Sequence, residues 1–273
     1  MEIIVNFGKN WRMCNMGKGR KNKSGTRVVN PSGYSQDNQI NEFFDEIYLI
    51  NLQHDIGRFD NMVKVFDFLD VKYLKWVATT PDVFSQLSNH VNLSKEYLAC
   101  LTSHLTIIRD AYDKGLEKIL IMEDDIIPIK DFHNKFNIFI EELPKDWDML
   151  YLSYIPLNDD CSMWTYIDIE KDLVTPTVVK AKNFWSGMCY GLSRNMMSII
   201  LQFYKNVPPI EIDRLYVEHL QKSPGFKIYG SYPQLFAGVD NYSNNTKVEE
   251  SIFTRSANPM LLKKSDFFDP SDI

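Results

Sequence analysis

Residues 119–129 read Ile-Leu-Ile-Met-Glu-Asp-Asp-Ile-Ile-Pro-Ile, an apolar run interrupted by three consecutive carboxylates. The run is short and rich in branched side chains, which indicates a buried strand. Ionised carboxylates are costly to bury without a partner, so Glu123, Asp124 and Asp125 must be neutralised. A divalent cation does this best, and hard oxygen ligands favour Mn²⁺ or Mg²⁺. The competing interpretation is an acidic run that caps a turn or pairs with surface lysines.

The segments around this run alternate between short apolar strands and amphipathic helices. Strand patterns occur at 47–50, 72–78, 118–122, 147–152, 174–181 and 188–192. Helical spacing occurs at 58–70, 93–111, 132–143, 196–204 and 211–221, with Ser94 as a candidate N-cap. The alternation predicts an α/β fold, Rossmann-like, with a mainly parallel sheet and helices on both faces.

The position of the carboxylates in this fold suggests a ligand site. If the strand persists through them, Glu123 and Asp125 point to one side and Asp124 to the other. The carboxyl ends of parallel strands form the crevice in which open α/β folds bind ligands. We therefore expect a metal there that bridges the phosphates of a nucleotide.

The length and composition fit one large folded domain with additions. The chain has 273 residues, of which 44% are hydrophobic and 24% charged. The basic run from Lys18 to Arg27 shows no sustained period, so residues 1–40 are predicted to be a loosely ordered extension. The folded domain is expected at 41–255, followed by a tail at 256–273.

Charge and hydropathy exclude several classes of partner. The net charge of -6 gives no footprint for nucleic acid or an anionic membrane. No stretch approaches the roughly 18 apolar residues that span a bilayer, and no apolar leader opens the sequence. We therefore expect no nucleic-acid partner, no transmembrane segment and a cytoplasmic location. The four cysteines are scattered without a zinc-binding pattern, which is typical of buried or neutral thiols.

Separated segments of the chain share one further property, a resemblance to a known family. The segments are Tyr48-Leu-Ile-Asn-Leu-Gln-His-Asp-Ile-Gly-Arg58, Ala99-Cys-Leu-Thr-Ser-His104, Met122-Glu-Asp-Asp125, Asp146-Trp-Asp-Met-Leu-Tyr-Leu152, Phe184-Trp-Ser-Gly-Met-Cys-Tyr-Gly-Leu-Ser193, Pro209-Ile-Glu-Ile-Asp213 and Tyr232-Pro-Gln-Leu-Phe-Ala-Gly-Val-Asp240. Together they resemble glycosyltransferase family 25, the lipopolysaccharide-biosynthesis and procollagen galactosyltransferase group. Ala99 replaces the family's usual glycine, and Gly238 and Val239 depart from its late segment.

The resemblance implies a glycosyltransferase A-type fold and a specific reaction. The reaction is transfer of a hexose (galactose, glucose or an N-acetylhexosamine) from a UDP-sugar to a hydroxyl of a glycan or protein acceptor, with inversion. The implied donor contacts are Asn51, Leu52, Arg58, Thr80, Ser103, His104, Asp124 and Gly187. The implied ligands of Mn²⁺ or Mg²⁺ are Glu123, Asp125 and Asp240, and Asp213 is the candidate base.

Plainer interpretations of these residues stay open at this stage. Asn51 suits a turn, Arg58 suits a solvated helix surface, and Asp213 suits the start of a helix. Ser103 and His104 on an isolated helix would more often be packing residues. At the level of function, the alternatives are a metal-dependent nucleotidyltransferase or phosphatase, and a catalytically weak nucleotide-sugar-binding module.

Overall fold

The computed structural model describes residues 26–28, 39–85, 93–158, 168–239, 241–242, 249–250 and 263–270. Most of the expected N-terminal extension and part of the expected C-terminal tail therefore lie outside the described residues. So does Asp240, one of the three implied metal ligands. Residues 26–28 form a strand that pairs with Tyr73–Val77, so this part of the extension joins the sheet.

Strands make up the centre of the described chain. They are β1 (Thr26–Val28), β2 (Glu46–Asn51), β3 (Tyr73–Val77), β4 (Lys118–Glu123), β5 (Ile126–Pro128), β6 (Met149–Pro156), β7 (Leu173–Thr175), β8 (Val178–Lys180), β9 (Phe184–Ser193), β10 (Ile228–Ser231), β11 (Phe236–Gly238), β12 (Asn241–Tyr242) and β13 (Glu249–Glu250). Nine of them form one sheet in the order β1-β3-β2-β4-β9-β6-β10-β8-β7. Two short ladders, β11 with β5 and β12 with β13, lie outside it.

The sheet confirms the α/β class and shows which of its strands run in parallel and which do not. β2 pairs in parallel with β3 and β4, and β10 pairs in parallel with β6. Between these two parallel groups lies β9, which is antiparallel to both β4 and β6. The sheet is therefore mixed at its centre, a feature that the apolar pattern of a buried strand does not reveal.

Helices cover the sheet and connect its strands. They are α1 (Ile40–Phe43), α2 (Ile56–Leu69), α3 (Lys95–Asp113), α4 (Phe132–Glu142), α5 (Arg194–Asn206) and α6 (Ile212–Arg214), which continues as a π-helix over Leu215–Leu220. The predicted cap of α3 is confirmed, since the Ser94 hydroxyl accepts a hydrogen bond from the Tyr97 amide at 3.3 Å. None of the described helices is long and apolar enough to cross a membrane.

Alternating side chains divide the core between the two faces of the sheet, as predicted for helices on both sides. One face packs Leu49, Leu120 and Met122 against apolar residues of α2 and α4. The other packs Ile121 and Tyr190 against α3 and α5. The two faces therefore hold separate hydrophobic clusters, and the strand ends between them carry the polar residues.

The short ladder of β5 and β11 supports the chain directly after the three carboxylates. Gly238 of β11 pairs with Ile126 of β5. Phe267 bridges to Ile129 in antiparallel fashion and is 1% exposed. Residues 263–270, part of the expected tail, thus pack against the fold beside the end of β5.

Candidate active site

Polar side chains gather where β2 and β4 end. β2 ends at Asn51 and β4 ends at Glu123, and the two strands run in parallel. β9 runs the opposite way beside β4, with Cys189 opposite Met122, so Gly187 reaches the same edge. We call Glu123, Asp124 and Asp125 the acidic cluster.

The acidic cluster lies in a bend because β4 ends at Glu123. The predicted alternation required the strand to persist, and it does not. Asp124 and Asp125 both approach Arg58, at 2.8 Å and 3.6 Å, whereas Glu123 approaches His104 at 3.0 Å. The three carboxylates therefore divide between α2 and α3, which pack on opposite faces of the sheet.

Asp124 is held by two residues that we expected to contact the donor. Asn51 Nδ2 donates to Asp124 Oδ2 at 2.6 Å, and Arg58 Nη1 donates to Asp124 Oδ1 at 2.8 Å. Arg58 is positioned because Asp55 caps α2, accepting from the Arg58 amide at 3.3 Å. Burial raises the pKa of Asp124, and Arg58 and Asn51 oppose that rise. Both oxygens of Asp124 are thus engaged within the protein.

Asp125 differs from Asp124 because one of its carboxylate oxygens accepts no hydrogen bond in the described structure. Its Oδ2 lies 3.6 Å from Arg58 Nη2, while its buried Oδ1 has no hydrogen-bond partner in the described structure. Burial, and after it the charge of Glu123, raises the pKa of Asp125 to about 7. The Val239 amide donates to the Asp125 carbonyl at 2.7 Å, so the chain just before Asp240 passes beside the acidic cluster.

Glu123 faces a fully buried histidine on α3. His104 Nε2 lies 3.0 Å from Glu123 Oε1, and His104 Nδ1 lies 2.8 Å from the Tyr190 hydroxyl. His104 is 0% exposed, and both of its ring nitrogens have partners. The structure thus gives His104 a role in orienting Glu123.

Gly187 lies between Glu123 of the acidic cluster and Asp213 of α6. A Cβ on Gly187 would lie 3.3 Å from Asp213 Oδ1, 3.5 Å from Glu123 Oε1 and 3.5 Å from His104 Cε1. The absent side chain therefore brings Asp213, the candidate base, close to Glu123. Asp213 Oδ1 is buried without a hydrogen-bond partner in the described structure. Burial, then Glu123 and Glu211, raise the pKa of Asp213 to about 8.

Three other predicted donor contacts lie at the margin of this group. The Ser103 hydroxyl donates to the Ala99 carbonyl at 2.8 Å and accepts from the Thr79 amide at 2.9 Å, so it joins α3 to the end of β3. Leu52 directly follows β2, and Thr80 precedes a 3₁₀ turn at Pro81–Phe84. Both are partly exposed.

Sequence reasoning missed a thiol that lies beside Glu123. Ligand atoms of Cys100, His104 and Glu123 all lie within 4.8 Å of one another, close enough to hold a metal ion. The signal was the spacing of four residues between Cys100 and His104, which places both on one face of α3. The interpretation of the cysteines as buried or neutral thiols did not anticipate this grouping.

The residues present fit the divalent cation that the sequence predicts. Arg58 is the cation beside Asp124 and Asp125, Glu123 lies next to them, and Asp125 keeps a buried oxygen without a hydrogen-bond partner among the described residues. Oxygen donors of this kind suit Mn²⁺ or Mg²⁺. A cation bound by Glu123 and Asp125 would offset the negative charge that raises the pKa of Asp125.

The Arg58 contacts predict a loss of stability when Arg58 is removed. Arg58→Met should lower the free energy of unfolding by about 3 kcal/mol, because Asp124 would keep a buried charge without its main partner. Urea unfolding at neutral pH measures this value. The double variant with Asp124→Asn should lose less than the sum of the single variants, since the two residues interact.

Arg109 provides the matched control for this experiment. Its side chain is 58% exposed, and its contact with Asp113 is 3.9 Å long. Arg109→Met should change the free energy of unfolding by less than about 0.5 kcal/mol. Equal losses in the two arginine variants would contradict a structural role for the Arg58 contacts.

Comparisons with known proteins identify relatives of the chain. Procollagen galactosyltransferase 2 of Mus musculus is 29% identical over 129 residues, which are 40% of this chain and 20% of the relative. A procollagen lysyl hydroxylase and glycosyltransferase of Acanthamoeba polyphaga mimivirus is 23% identical over 167 residues, 58% of this chain and 17% of the relative. The chain thus spans only 20% and 17% of the length of these two relatives.

A solved structure and a family profile complete the comparison. The crystal structure of a glycosyltransferase involved in glycosylation of the major capsid of PBCV-1 aligns with 12% identity and a TM-score of 0.38, over 68% of this chain and 81% of that one. The profile of Glycosyltransferase family 25 (LPS biosynthesis protein) matches residues 44–216, more than half of the chain and all of the acidic cluster. The chain therefore belongs to glycosyltransferase family 25.

Proposed function

We propose that this chain transfers a hexose from a UDP-sugar to an acceptor hydroxyl in a metal-dependent, inverting reaction. The observation that carries the proposal is the convergence of Glu123 and Asp213 at Gly187, with Glu123 in the same acidic cluster as Asp125, whose buried Oδ1 has no hydrogen-bond partner among the described residues. Membership of family 25 supports glycosyl transfer as the reaction class. The donor, the metal and the stereochemistry are part of the proposal.

Glu123 and Asp125 would hold Mn²⁺ or Mg²⁺, with Asp240, which lies outside the described residues, as the third proposed ligand. When bound, the cation supplies neutralisation of the charge that grows on the departing diphosphate. Asp124 takes a different role in this proposal, because Asn51 and Arg58 already occupy both of its oxygens. It fixes the bend that orients Glu123 and Asp125.

Asp213 would act as the base that accepts the proton of the acceptor hydroxyl. Its Oδ1 is buried without a hydrogen-bond partner among the described residues, and Asp213 comes from α6, a different element from the acidic cluster. A pKa near 8 is suitable, because a general base works best when its pKa is close to the pH of the reaction. Inversion requires the base and the departing diphosphate to lie on opposite faces of the sugar.

The names of the relatives decide which substrates to test first. One relative is named procollagen galactosyltransferase 2, and the other is named procollagen lysyl hydroxylase and glycosyltransferase. We therefore propose UDP-galactose as the first donor and a hydroxylated protein as the first acceptor. UDP-glucose and UDP-N-acetylhexosamines follow, since small changes in pocket shape alter sugar preference.

A screen of these nucleotide sugars with Mn²⁺ tests the proposed function. We expect release of free UDP and a gain of one hexose on the acceptor, read by mass spectrometry, and no release with EDTA. Pyrophosphate or inorganic phosphate as the product would instead indicate a nucleotidyltransferase or phosphatase. Metal-dependent UDP binding without turnover would indicate a binding module.

Two glycine variants test whether the reaction occurs beside Gly187. Gly187→Ala should lower the rate of UDP release by roughly 10-fold, because its methyl group would lie 3.3 Å from Asp213 Oδ1 and push that carboxylate out of position. Gly57→Ala is the control, since a Cβ there meets nothing within 4 Å. Equal rates in the two variants would exclude the Gly187 site as the reaction centre.

A further inference from the structure

Cys100, His104 and Glu123 form a second group of metal-ligand side chains beside the acidic cluster. Their ligand atoms lie within 4.8 Å of one another. Cys100 and His104 occupy one face of α3, and Glu123 reaches them from the end of β4. Ligand atoms around a tetrahedral zinc ion lie roughly 3–4 Å apart, so small side-chain rotations would complete the site.

The surroundings of His104 match those of a histidine that binds a metal. Such a histidine uses one ring nitrogen for the metal and donates its other N–H to a neighbouring oxygen. Tyr190 supplies that oxygen, 2.8 Å from His104 Nδ1. Its hydroxyl can accept from an Nδ1–H as readily as it can donate to a bare Nδ1. The Tyr190 contact therefore serves the metal-bound tautomer, which leaves Nε2 to bind the metal.

The chemistry of the three ligands selects a different cation from the acidic cluster. A thiolate and an imidazole are softer donors than carboxylates and favour Zn²⁺ over Mn²⁺ or Mg²⁺. Glu123 and Cys100 are partly exposed, so a fourth position remains accessible to water. We propose that Cys100, His104 and Glu123 form a zinc-binding site, distinct from the proposed site of Mn²⁺ or Mg²⁺ but sharing Glu123 with it.

Zinc binding at this site needs no reactant other than the ion itself. In the zinc-bound form the neutral His104 ring keeps its one proton on Nδ1, where it donates a hydrogen bond to the Tyr190 oxygen, and Nε2 binds the zinc. The thiol proton of Cys100 is released to solvent as the thiolate binds. Because bound zinc would draw Glu123 toward Cys100 and His104 and weaken its hold on the other cation, zinc should inhibit the Mn²⁺-dependent reaction, a consequence that rests on the proposed function.

Cobalt substitution tests the site without reference to activity. The full chain, reduced and freed of metals, is titrated with Co²⁺, which replaces Zn²⁺ and absorbs in the near ultraviolet when a thiolate is bound. We expect this charge-transfer band in the wild-type protein at one equivalent of cobalt, and its displacement by Zn²⁺. No band in the wild-type protein would overturn the proposal.

Two cysteine variants assign the band to one thiol. Cys100→Ser should abolish it. Cys189→Ala should retain it, because Cys189 neighbours Tyr190 but packs in the cluster on the opposite face of the sheet. A band that survives Cys100→Ser, or that disappears in Cys189→Ala, would overturn the assignment.

A third variant tests the role of Tyr190 in the site. Tyr190→Phe keeps the ring and removes the hydroxyl that orients His104. The band should persist while the affinity for Zn²⁺, measured by competition with a chromophoric chelator, falls by about 10-fold or more. Unchanged affinity would show that the Tyr190 contact does not support a bound metal.

Inhibition by zinc separates this site from the proposed function. Micromolar Zn²⁺ should inhibit Mn²⁺-dependent UDP release by the wild-type protein and inhibit Cys100→Ser far less. A cobalt band without inhibition would keep the site but refute the sharing of Glu123. A cobalt band in a protein that releases no UDP would refute the proposed function alone.

Discussion

Asp125→Asn should lower the rate of Mn²⁺-dependent UDP release by about 10³-fold. The variant removes the carboxylate whose Oδ1 lacks a protein partner and which we assign to the cation. Stabilisation of transition-state charge by a metal contributes several kcal/mol, and about 4 kcal/mol corresponds to that loss of rate. Initial rates at saturating donor, with Mn²⁺ varied, measure the effect.

Asp125→Asn should not lose stability, although it loses activity. Burial and Glu123 raise the pKa of Asp125 to about 7, so the folded protein disfavours its charge. An uncharged amide removes that cost, and the thermal midpoint in EDTA above pH 7 should be at least that of the wild-type protein. An inactive variant that is also unfolded would not fit this account.

An exposed aspartate supplies the control for Asp125→Asn. The side chain of Asp113, at the end of α3, is 63% exposed. Asp113→Asn should leave UDP release unchanged. If Asp125→Asn releases UDP as fast as Asp113→Asn does, the acidic cluster does not bind the metal that serves the reaction.

The fold was predictable because its signals are local. Apolar runs and helical spacing mark β2, α2, α3 and β4 within a few residues of their observed bounds. The direction of β9 was not predictable, since a buried strand has the same apolar pattern whether it runs parallel or antiparallel. That direction brings Gly187 to the acidic cluster, so it matters for the site.

The partners within the site were harder to predict than its location. Asp124 lies 73 residues from Asn51 and 66 from Arg58, and no local pattern links residues so far apart. Asn51 and Arg58 hold Asp124, and their contact with a nucleotide stays a prediction. The spacing of Cys100 and His104 was visible on α3, but Glu123, their third partner, comes from another element.

Asp213→Asn should reduce transfer to the acceptor by roughly 10²- to 10⁴-fold, the usual contribution of a general base. Binding of UDP and Mn²⁺ should be retained, because Asp213 is not among the residues that we assign to either. Isothermal titration with UDP and initial rates of acceptor glycosylation measure the two effects. Full turnover in the variant would remove Asp213 as the base.

The pH dependence of the rate provides a second test of Asp213. A base must be ionised, so the wild-type rate should rise with pH through the pKa of Asp213, which is about 8 without metal. A bound cation nearby should lower this value, since positive charge favours the carboxylate. Glu211→Gln should shift the profile further toward lower pH, because the charge of Glu211 raises the pKa of Asp213.

The stability of the metal-free protein should show the same group titrating, with a sign that follows from burial. The pKa of Asp213 in the folded protein lies above its ordinary value of 3.8, so its protonated form favours folding. That contribution is complete below about pH 4 and is lost as pH rises through about 8. In EDTA, Asp213→Asn should therefore gain stability relative to the wild-type protein as pH rises from 4 to 8. Chemical unfolding across this range measures the difference, and parallel curves for the two proteins would show that Asp213 is not buried with a raised pKa.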